Sequence, residues 1–229
     1  MALNAVRTID DRVRVKTALV SVWDKTGLDL LARGLLAAIP DIRILSTGGT
    51  HGALEKILGS VTRGTLEQIS DYTGQPEMQG GLVKTLDFKV YLGLLSETYN
   101  TAHTADLERA GAAPIDLVVV NLYPFSLVVS GPDVTPEAAR ANIDIGGPCM
   151  LRAAAKNFHR VAPLADPSDY QGILSELTDS GGRLSLATRW RLAQKAFALT
   201  AAYDTAICSY LAGLEFARVR GAYDVRTGS

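Results

Sequence analysis

The sequence has few of the residues that mark redox, metal or extracellular sites. Two cysteines, Cys149 and Cys208, and three histidines occur in 229 residues. The cysteines are too far apart for a redox pair or a zinc motif, and His51, His103 and His159 are not spaced as metal ligands. We therefore expect reduced thiols, structural or exposed histidines, no bound metal, and a cytoplasmic location.

An excess of charge of one sign and a long apolar run are also absent. Lys and Arg number 23 against 24 Asp and Glu, which gives a net charge of −1. A nucleic-acid-binding protein would need a basic face. No segment approaches the ~20 apolar residues of a membrane span, and residues 1–16 lack the apolar core of a signal peptide. We expect no nucleic-acid or membrane partner, and an anionic ligand would be held by local chemistry.

Short β-type apolar runs alternate with helical periodicities along the chain, which predicts an α/β layer fold with a parallel sheet. The predicted strands are Val15–Val22, Ile42–Leu45, Ile115–Val120 and Val161–Ala165. The predicted helices cover 24–39, 53–58, 150–157, 169–177 and 186–216. Ligands in such folds bind at the carboxyl ends of strands, here after Val22, Leu45 and Val120.

Two motifs follow the first strands. Residues 46–50 read Ser-Thr-Gly-Gly-Thr between a strand and a helix. This is either a phosphate cradle of backbone N–H groups and hydroxyls or a tight capped turn. In residues 21–26, Asp24 is expected to cap the next helix. Lys25 then lies near the positive helix end, where it is either solvated or paired with a ligand anion.

Three more motifs carry polar side chains. Lys84 and Thr85 follow Gly80-Gly81, which suggests a surface turn or a ligand contact. Residues 121–125 follow the most apolar strand with an Asn and a Tyr. In residues 142–157 a Gly-Gly turn precedes a helix that carries Arg152 and Lys156 at i,i+4. Two like charges there favour a nearby carboxylate, and Asp144 is the natural one.

These motifs together resemble the IMP cyclohydrolase domain of the bifunctional purine-biosynthesis proteins. The matching segments, in the family's order, are SVWDKTGL, STGGT, ISDYTGQPEM, GGLVKT, PIDLVVVNLYPF, NIDIGGPCMLRAAAKN and DPSDY. The resemblance implies a methylglyoxal-synthase-like three-layer α/β fold with a mostly parallel central sheet and a helical C-terminal extension. The corresponding domains are residues 13–168 and residues 169–229.

The resemblance also implies the activity: closure of formamidoimidazole carboxamide ribotide (FAICAR) to IMP with loss of water, in purine biosynthesis, without a cofactor. It implies a chain that works without the family's formyltransferase domain, and it leaves open a homodimer or association with a separate formyltransferase. Catalytic positions match Lys84, Tyr123, Asp144 and Lys156. Substrate-binding positions match Ser21, Trp23, Lys25, Thr47, Gly48, Gly49, Thr50, Leu82, Val83, Thr85, Asn121, Ile145, Gly146 and Gly147.

Three departures from the family pattern bear on the site. Trp23 replaces a serine, Leu82 replaces an arginine, and Asp87-Phe88 replace His-Pro. The first two remove polar contacts to the ribotide, and we expect Asp87 to point away from the ligand. Two other functions remain open: a non-catalytic nucleotide-sensing module, and a methylglyoxal synthase of the same fold.

Overall fold

The computed structural model describes residues 5–62, 64–75 and 85–226. The strands in that part of the chain are β1 (Arg12–Arg14), β2 (Thr17–Val22), β3 (Arg43–Ser46), β4 (Leu66–Gln68), β5 (Leu117–Asn121), β6 (Ala162–Leu164) and β7 (Arg183–Ser185). The helices are α1 (Leu28–Ala38), α2 (Gly48–Leu58), α3 (Ile69–Thr73), α4 (Phe88–Leu95), α5 (Thr101–Ala110), α6 (Phe125–Val129), α7 (Pro136–Ala141), α8 (Gly146–Lys156), α9 (Tyr170–Asp179), α10 (Leu186–Ala212) and α11 (Phe216–Gly221). Short 3₁₀ turns cover Gly59–Thr62 and Pro167–Asp169.

A five-stranded sheet with the order β4-β3-β2-β5-β6 forms the centre, and each neighbouring pair is parallel. The centres of its middle strands are apolar and buried because helices cover both faces. Pro163 lies in β6, an edge strand, where a residue without an N–H is tolerated. The predicted parallel α/β fold is confirmed.

Successive residues of the middle strands point into two separate cores, which makes the fold three-layered. Val20 and Val119 pack under α1, α2 and α9, whereas Leu19 and Val118 pack under α4, α8 and α10. The alternation follows from the period of two in a strand. The expected helix–sheet–helix arrangement is therefore present.

The C-terminal segment packs onto the same body. Helix α10 lies against α8 and β6, α9 lies against α1, and β7 pairs antiparallel with β1. Residues on both sides of the predicted boundary at 168 share one core, as Leu164 and Ile173 do. The division into residues 13–168 and residues 169–229 stays a prediction.

A buried arginine ties helix α10 to the N-terminal segment and to the turn after α8. The Arg189 side chain, in α10, is 1% exposed. Its guanidinium donates to the carbonyls of Asp10 at 2.7 Å, Asp11 at 3.0 Å, Phe158 at 2.9 Å and His159 at 3.0 Å. Full hydrogen bonding of this kind offsets the cost of burying a charge.

Helix boundaries differ from the prediction at both ends of the fold. The predicted long helix of residues 186–216 ends at Ala212, because Gly213 is a poor helix former and the helix beyond Tyr203 has little core to cover. The first predicted helix begins at Leu28 rather than at Asp24. None of the described helices is both long and apolar enough to cross a membrane.

Candidate active site at the carboxyl edge of the sheet

A cavity of about 530 Å³ opens where β2, β3 and β5 end, and the first turn of α8 closes it from the side. Strand register explains why polar residues meet there. Val20 pairs with Ser46 and Val22 pairs with Asn121, so the three strands end at one edge. The cavity brings together these sequence-predicted residues: Ser21, Trp23, Lys25, Thr47, Gly48, Gly49, Thr50, Thr85, Asn121, Tyr123, Asp144, Ile145, Gly146 and Gly147.

The N-terminus of α2 forms one wall of this cavity. Thr47 is the N-cap residue, and the first turn begins with Gly48 and Gly49. The Thr47 hydroxyl lies 2.8 Å from the Ser21 hydroxyl instead of capping the helix. The Gly48 and Gly49 N–H groups precede the first intrahelical bonds, which run from Thr50 and His51 to the Thr47 carbonyl, and the helix dipole gives them a partial positive charge. This wall suits an anion such as a phosphate.

Thr50 has a different role from the one the sequence suggests. Its hydroxyl donates to the Val22 carbonyl at 2.9 Å and accepts from the Val22 N–H at 3.1 Å. The side chain is 3% exposed. Thr50 therefore fixes α2 to the end of β2, and its hydroxyl is already engaged with the backbone.

Asn121 holds the loop that follows β2. Its Oδ1 accepts from the N–H groups of Trp23 at 2.6 Å and Asp24 at 3.0 Å, and its Nδ2 donates to the Asp24 carbonyl at 2.8 Å. These bonds use three of the four hydrogen-bonding sites of the amide. Asn121 therefore shapes the cavity wall and keeps one N–H for a ligand.

Lys25 and Asp24 differ from their expected positions because α1 starts later than predicted. Gly27, at φ +69°, precedes the helix as its N-cap residue. Asp24 instead accepts from the N–H of Thr26 at 2.9 Å and from its hydroxyl at 2.7 Å. Lys25 Nζ donates to the carbonyls of Val22 and Trp23. Burial lowers the pKa of Lys25.

Asp144 is the acidic side chain in the described cavity lining. Its Oδ1 accepts from the Gly147 N–H at 2.9 Å, and its carboxylate also accepts from the Tyr123 N–H. Burial raises the pKa of Asp144, and these two hydrogen bonds oppose the rise. A desolvated carboxylate with a raised pKa is the kind of group that accepts protons in catalysis.

The two glycines after Asp144 form the first turn of α8 rather than a turn before it. Pro148, the third helical residue, fits there because first-turn residues have no helical acceptor for an N–H. Neither glycine has room for a side chain. A Cβ on Gly147 would lie 2.4 Å from Asp144 Oδ2, and one on Gly146 would lie 2.7 Å from Thr85 Oγ1.

Lys156 lies away from the cavity. Helix α8 runs from Gly146 to Lys156, eleven residues. At ~1.5 Å per residue its ends are about 15 Å apart. Lys156 is exposed at the end opposite to the cavity. The expected ion pair between Asp144 and Lys156 is therefore not formed within the chain.

Some residues that were named from the sequence are not among the described residues that line the cavity. Leu82, Val83 and Lys84 lie outside the described residues. Asp87 caps α4 by accepting from the Lys89 N–H at 2.8 Å, and it is not among the described lining residues.

Several residues that were not predicted from the sequence also line the cavity: Val22, Leu86, Val120, Ala141, Asn142, Ile143 and Met150. Asn142 and Ile143 belong to the motif of residues 142–157, so their adjacency to Asp144 was a usable signal. The rim of the cavity is apolar, and its side chains are about half exposed: Trp23 51%, Tyr123 48% and Ile145 55%.

Over the described residues, no three His, Cys, Asp or Glu side chains are grouped to hold a metal ion.

Two family models match this chain. The model described as "MGS-like domain" matches residues 28–149, from the start of α1 into the first turn of α8, and the model described as "AICARFT/IMPCHase bienzyme" matches residues 154–227. This chain belongs to the MGS-like domain family. Most residues that line the cavity of this MGS-like chain lie within the first match, and those outside it are Ser21, Val22, Trp23, Lys25 and Met150.

Curated relatives of this chain are longer proteins. The chain is 50% identical over 206 residues to the "Bifunctional purine biosynthesis protein PurH" of Lactiplantibacillus plantarum, and 50% identical over 200 residues to that of Sorangium cellulosum. These matches cover 88% and 87% of the chain but only 38% and 36% of the relatives. Among solved structures, "Crystal structure of ForH" matches with a TM-score of 0.71 and 36% identity, over 86% of this chain and 99% of that one.

Proposed function

We propose that this chain is an IMP cyclohydrolase, which closes FAICAR to IMP in purine biosynthesis. The observation that carries the proposal is the position of Asp144, a desolvated carboxylate in the same cavity as the N-terminus of α2. The first can act as a base, and the second can hold a phosphate. The likeness to bifunctional purine-biosynthesis proteins, over 36–38% of their length, supports the same reaction.

The reaction is an intramolecular addition followed by dehydration. The carboxamide nitrogen attacks the formyl carbon and forms a carbinolamine. Water then leaves with the formyl oxygen, one carboxamide hydrogen and the formamido N–H hydrogen. The amide nitrogen is a weak nucleophile, so holding it against the formyl carbon supplies much of the acceleration.

The described residues divide this work. The α2 N-terminus, with Gly48 and Gly49, binds the ribotide phosphate. Asp144 accepts the proton from the carboxamide nitrogen. Tyr123 presents a hydroxyl to the growing formyl oxyanion. By the resemblance, Lys84 assists there and no cofactor takes part. The distance of Lys156 from the cavity leaves it out of this scheme.

The test is absorbance-monitored conversion of FAICAR to IMP by the purified chain, with Asp144→Asn beside it. Asparagine keeps the shape but cannot accept the proton, so we expect kcat to fall by about 10²–10⁴-fold while IMP still binds. Normal turnover by Asp144→Asn would exclude it as the base.

A non-catalytic nucleotide sensor is the second candidate. The presence of Trp23 in the cavity lining favours it, because the family's serine at this position is replaced and a polar contact to the ribotide is lost. Saturable IMP binding without turnover by the unmodified chain would identify the sensor and reject the enzyme.

A further inference from the structure

We propose that Tyr203, in the C-terminal helix α10, is a positioning residue that sets the place of Asp144. The inference rests on the proposed function, in which Asp144 is the base. Tyr203 is not among the residues that line the cavity. It acts on the backbone that carries the carboxylate.

The Tyr203 hydroxyl bridges the segment before α8 at two points. It accepts from the Asp144 N–H at 2.8 Å and donates to the Asn142 carbonyl at 3.4 Å. One hydroxyl can do both, because it carries one donor and two acceptor lone pairs. The two bonds fix the backbone on either side of Ile143.

The packing of the Tyr203 ring fixes the position of its hydroxyl. Its side chain is 8% exposed and lies edge-on to Phe125, with ring centroids 6.2 Å apart. Phe125 is itself 1% exposed and begins α6, just after Tyr123. Burial raises the pKa of Tyr203, so the hydroxyl keeps its proton at neutral pH.

Asp144 is therefore held at both its backbone and its side chain. Tyr203 holds its backbone N–H, whereas Gly147 and the Tyr123 N–H hold its carboxylate. The carboxylate bonds fix its orientation relative to α8, and the Tyr203 bond fixes where the loop sits. Loss of the hydroxyl leaves the wall formed by the N-terminus of α2 intact but frees the loop that carries the base.

The chain offers a matched control on the same helix. Tyr210 also lies edge-on to Phe125, at 5.9 Å. Its hydroxyl is buried and has no hydrogen-bond partner among the described residues. Tyr210→Phe thus removes an equivalent atom from the same aromatic cluster without breaking a bond to the Asp144 loop.

The experiment compares Tyr203→Phe and Tyr210→Phe in turnover, IMP binding and amide hydrogen exchange. For Tyr203→Phe we expect kcat to fall by about 10–100-fold, because ~1 Å of misplacement costs on that order. KM and IMP affinity should stay close to wild type, and the Asp144 N–H should exchange faster. Tyr210→Phe should match wild type in every measurement.

Two results would overturn the positioning role. One is equal kcat and equal Asp144 exchange in the two variants. The other is a parallel loss of kcat and IMP binding in Tyr203→Phe, which indicates general damage to the fold. If the unmodified chain fails to turn over FAICAR, the proposed function fails, and the exchange of the Asp144 N–H still decides whether Tyr203 holds the loop.

Discussion

Replacement of Gly147 by alanine should lower activity because it displaces the Asp144 carboxylate. The new Cβ would lie 2.4 Å from Asp144 Oδ2, whereas ordinary contacts begin at 3.4 Å. Either the carboxylate or the helix start must therefore move by about 1 Å, and such a shift costs on the order of 10²-fold in rate. Leu122 Cδ2, 2.7 Å from the same Cβ, blocks the other direction. We expect kcat/KM for FAICAR to fall by about 10²-fold.

Gly52→Ala is the matched control for this change. Gly52 lies inside α2, and a Cβ there meets nothing within 4 Å. Alanine in a helix interior is favoured by about 1 kcal/mol over glycine. Gly52→Ala should therefore raise the free energy of unfolding and leave kcat/KM unchanged. Wild-type kcat/KM in Gly147→Ala would refute the reasoning, because the carboxylate would then tolerate the displacement.

Three further predictions concern other parts of the molecule. Arg160→Leu leaves the Asp116 carboxylate without its buried ion pair of 2.9 Å and should cost about 3–5 kcal/mol in the free energy of unfolding, measured with urea. Burial raises the pKa of Asp144, and only the ionised form is a base, so kcat should fall on acidification at a pH above the ordinary aspartate value of 3.8. Trp23 lines the cavity and is 51% exposed, so IMP should change its fluorescence, and Trp23→Phe should abolish that change.

Each of these three predictions has a control or an outcome that would contradict it. Arg109→Leu breaks an exposed pair with Asp106, so its cost should stay below about 1 kcal/mol. An equal cost for the two arginine variants would contradict the burial argument. A pH limb of kcat at or below 3.8 would contradict the assignment to a buried carboxylate. Trp190→Phe should retain the IMP-dependent fluorescence change, and loss of that change would place the signal at Trp190.

The sheet and most of the candidate site could be predicted because their signals are local. An apolar run followed by a polar motif marks the end of a buried strand, and parallel strands bring those ends together. Ser21, Thr47 and Asn121 meet for this reason. The separation of Lys156 from the cavity could also have been predicted from the sequence. The rise of a helix over ten residues places Lys156 at the other end of α8 from Gly146.

The supports of the site could not be predicted, because they depend on distant segments. Tyr203 contacts Asp144 across 59 positions, and no local pattern connects the two. The hydrogen bonds of the Asn121 amide depend on the conformation of the loop that carries Trp23. Arg160 and Arg189 resemble surface arginines in the sequence, yet both are buried by long-range packing.

The contacts of Arg189 have a consequence for how the chain folds during synthesis. Two of its carbonyl partners, at Asp11 and Asp10, precede it by 178 and 179 positions. Strands β2 to β6 leave the ribosome well before Arg189, so the sheet can assemble while the N-terminal segment is still unanchored. The hydrogen bond that fixes the loop carrying Asp144 forms later still, because Tyr203 emerges after Arg189. The residues that line the ligand cavity, the last of which is Met150, are therefore synthesised before Tyr203, which supplies the support for the proposed base.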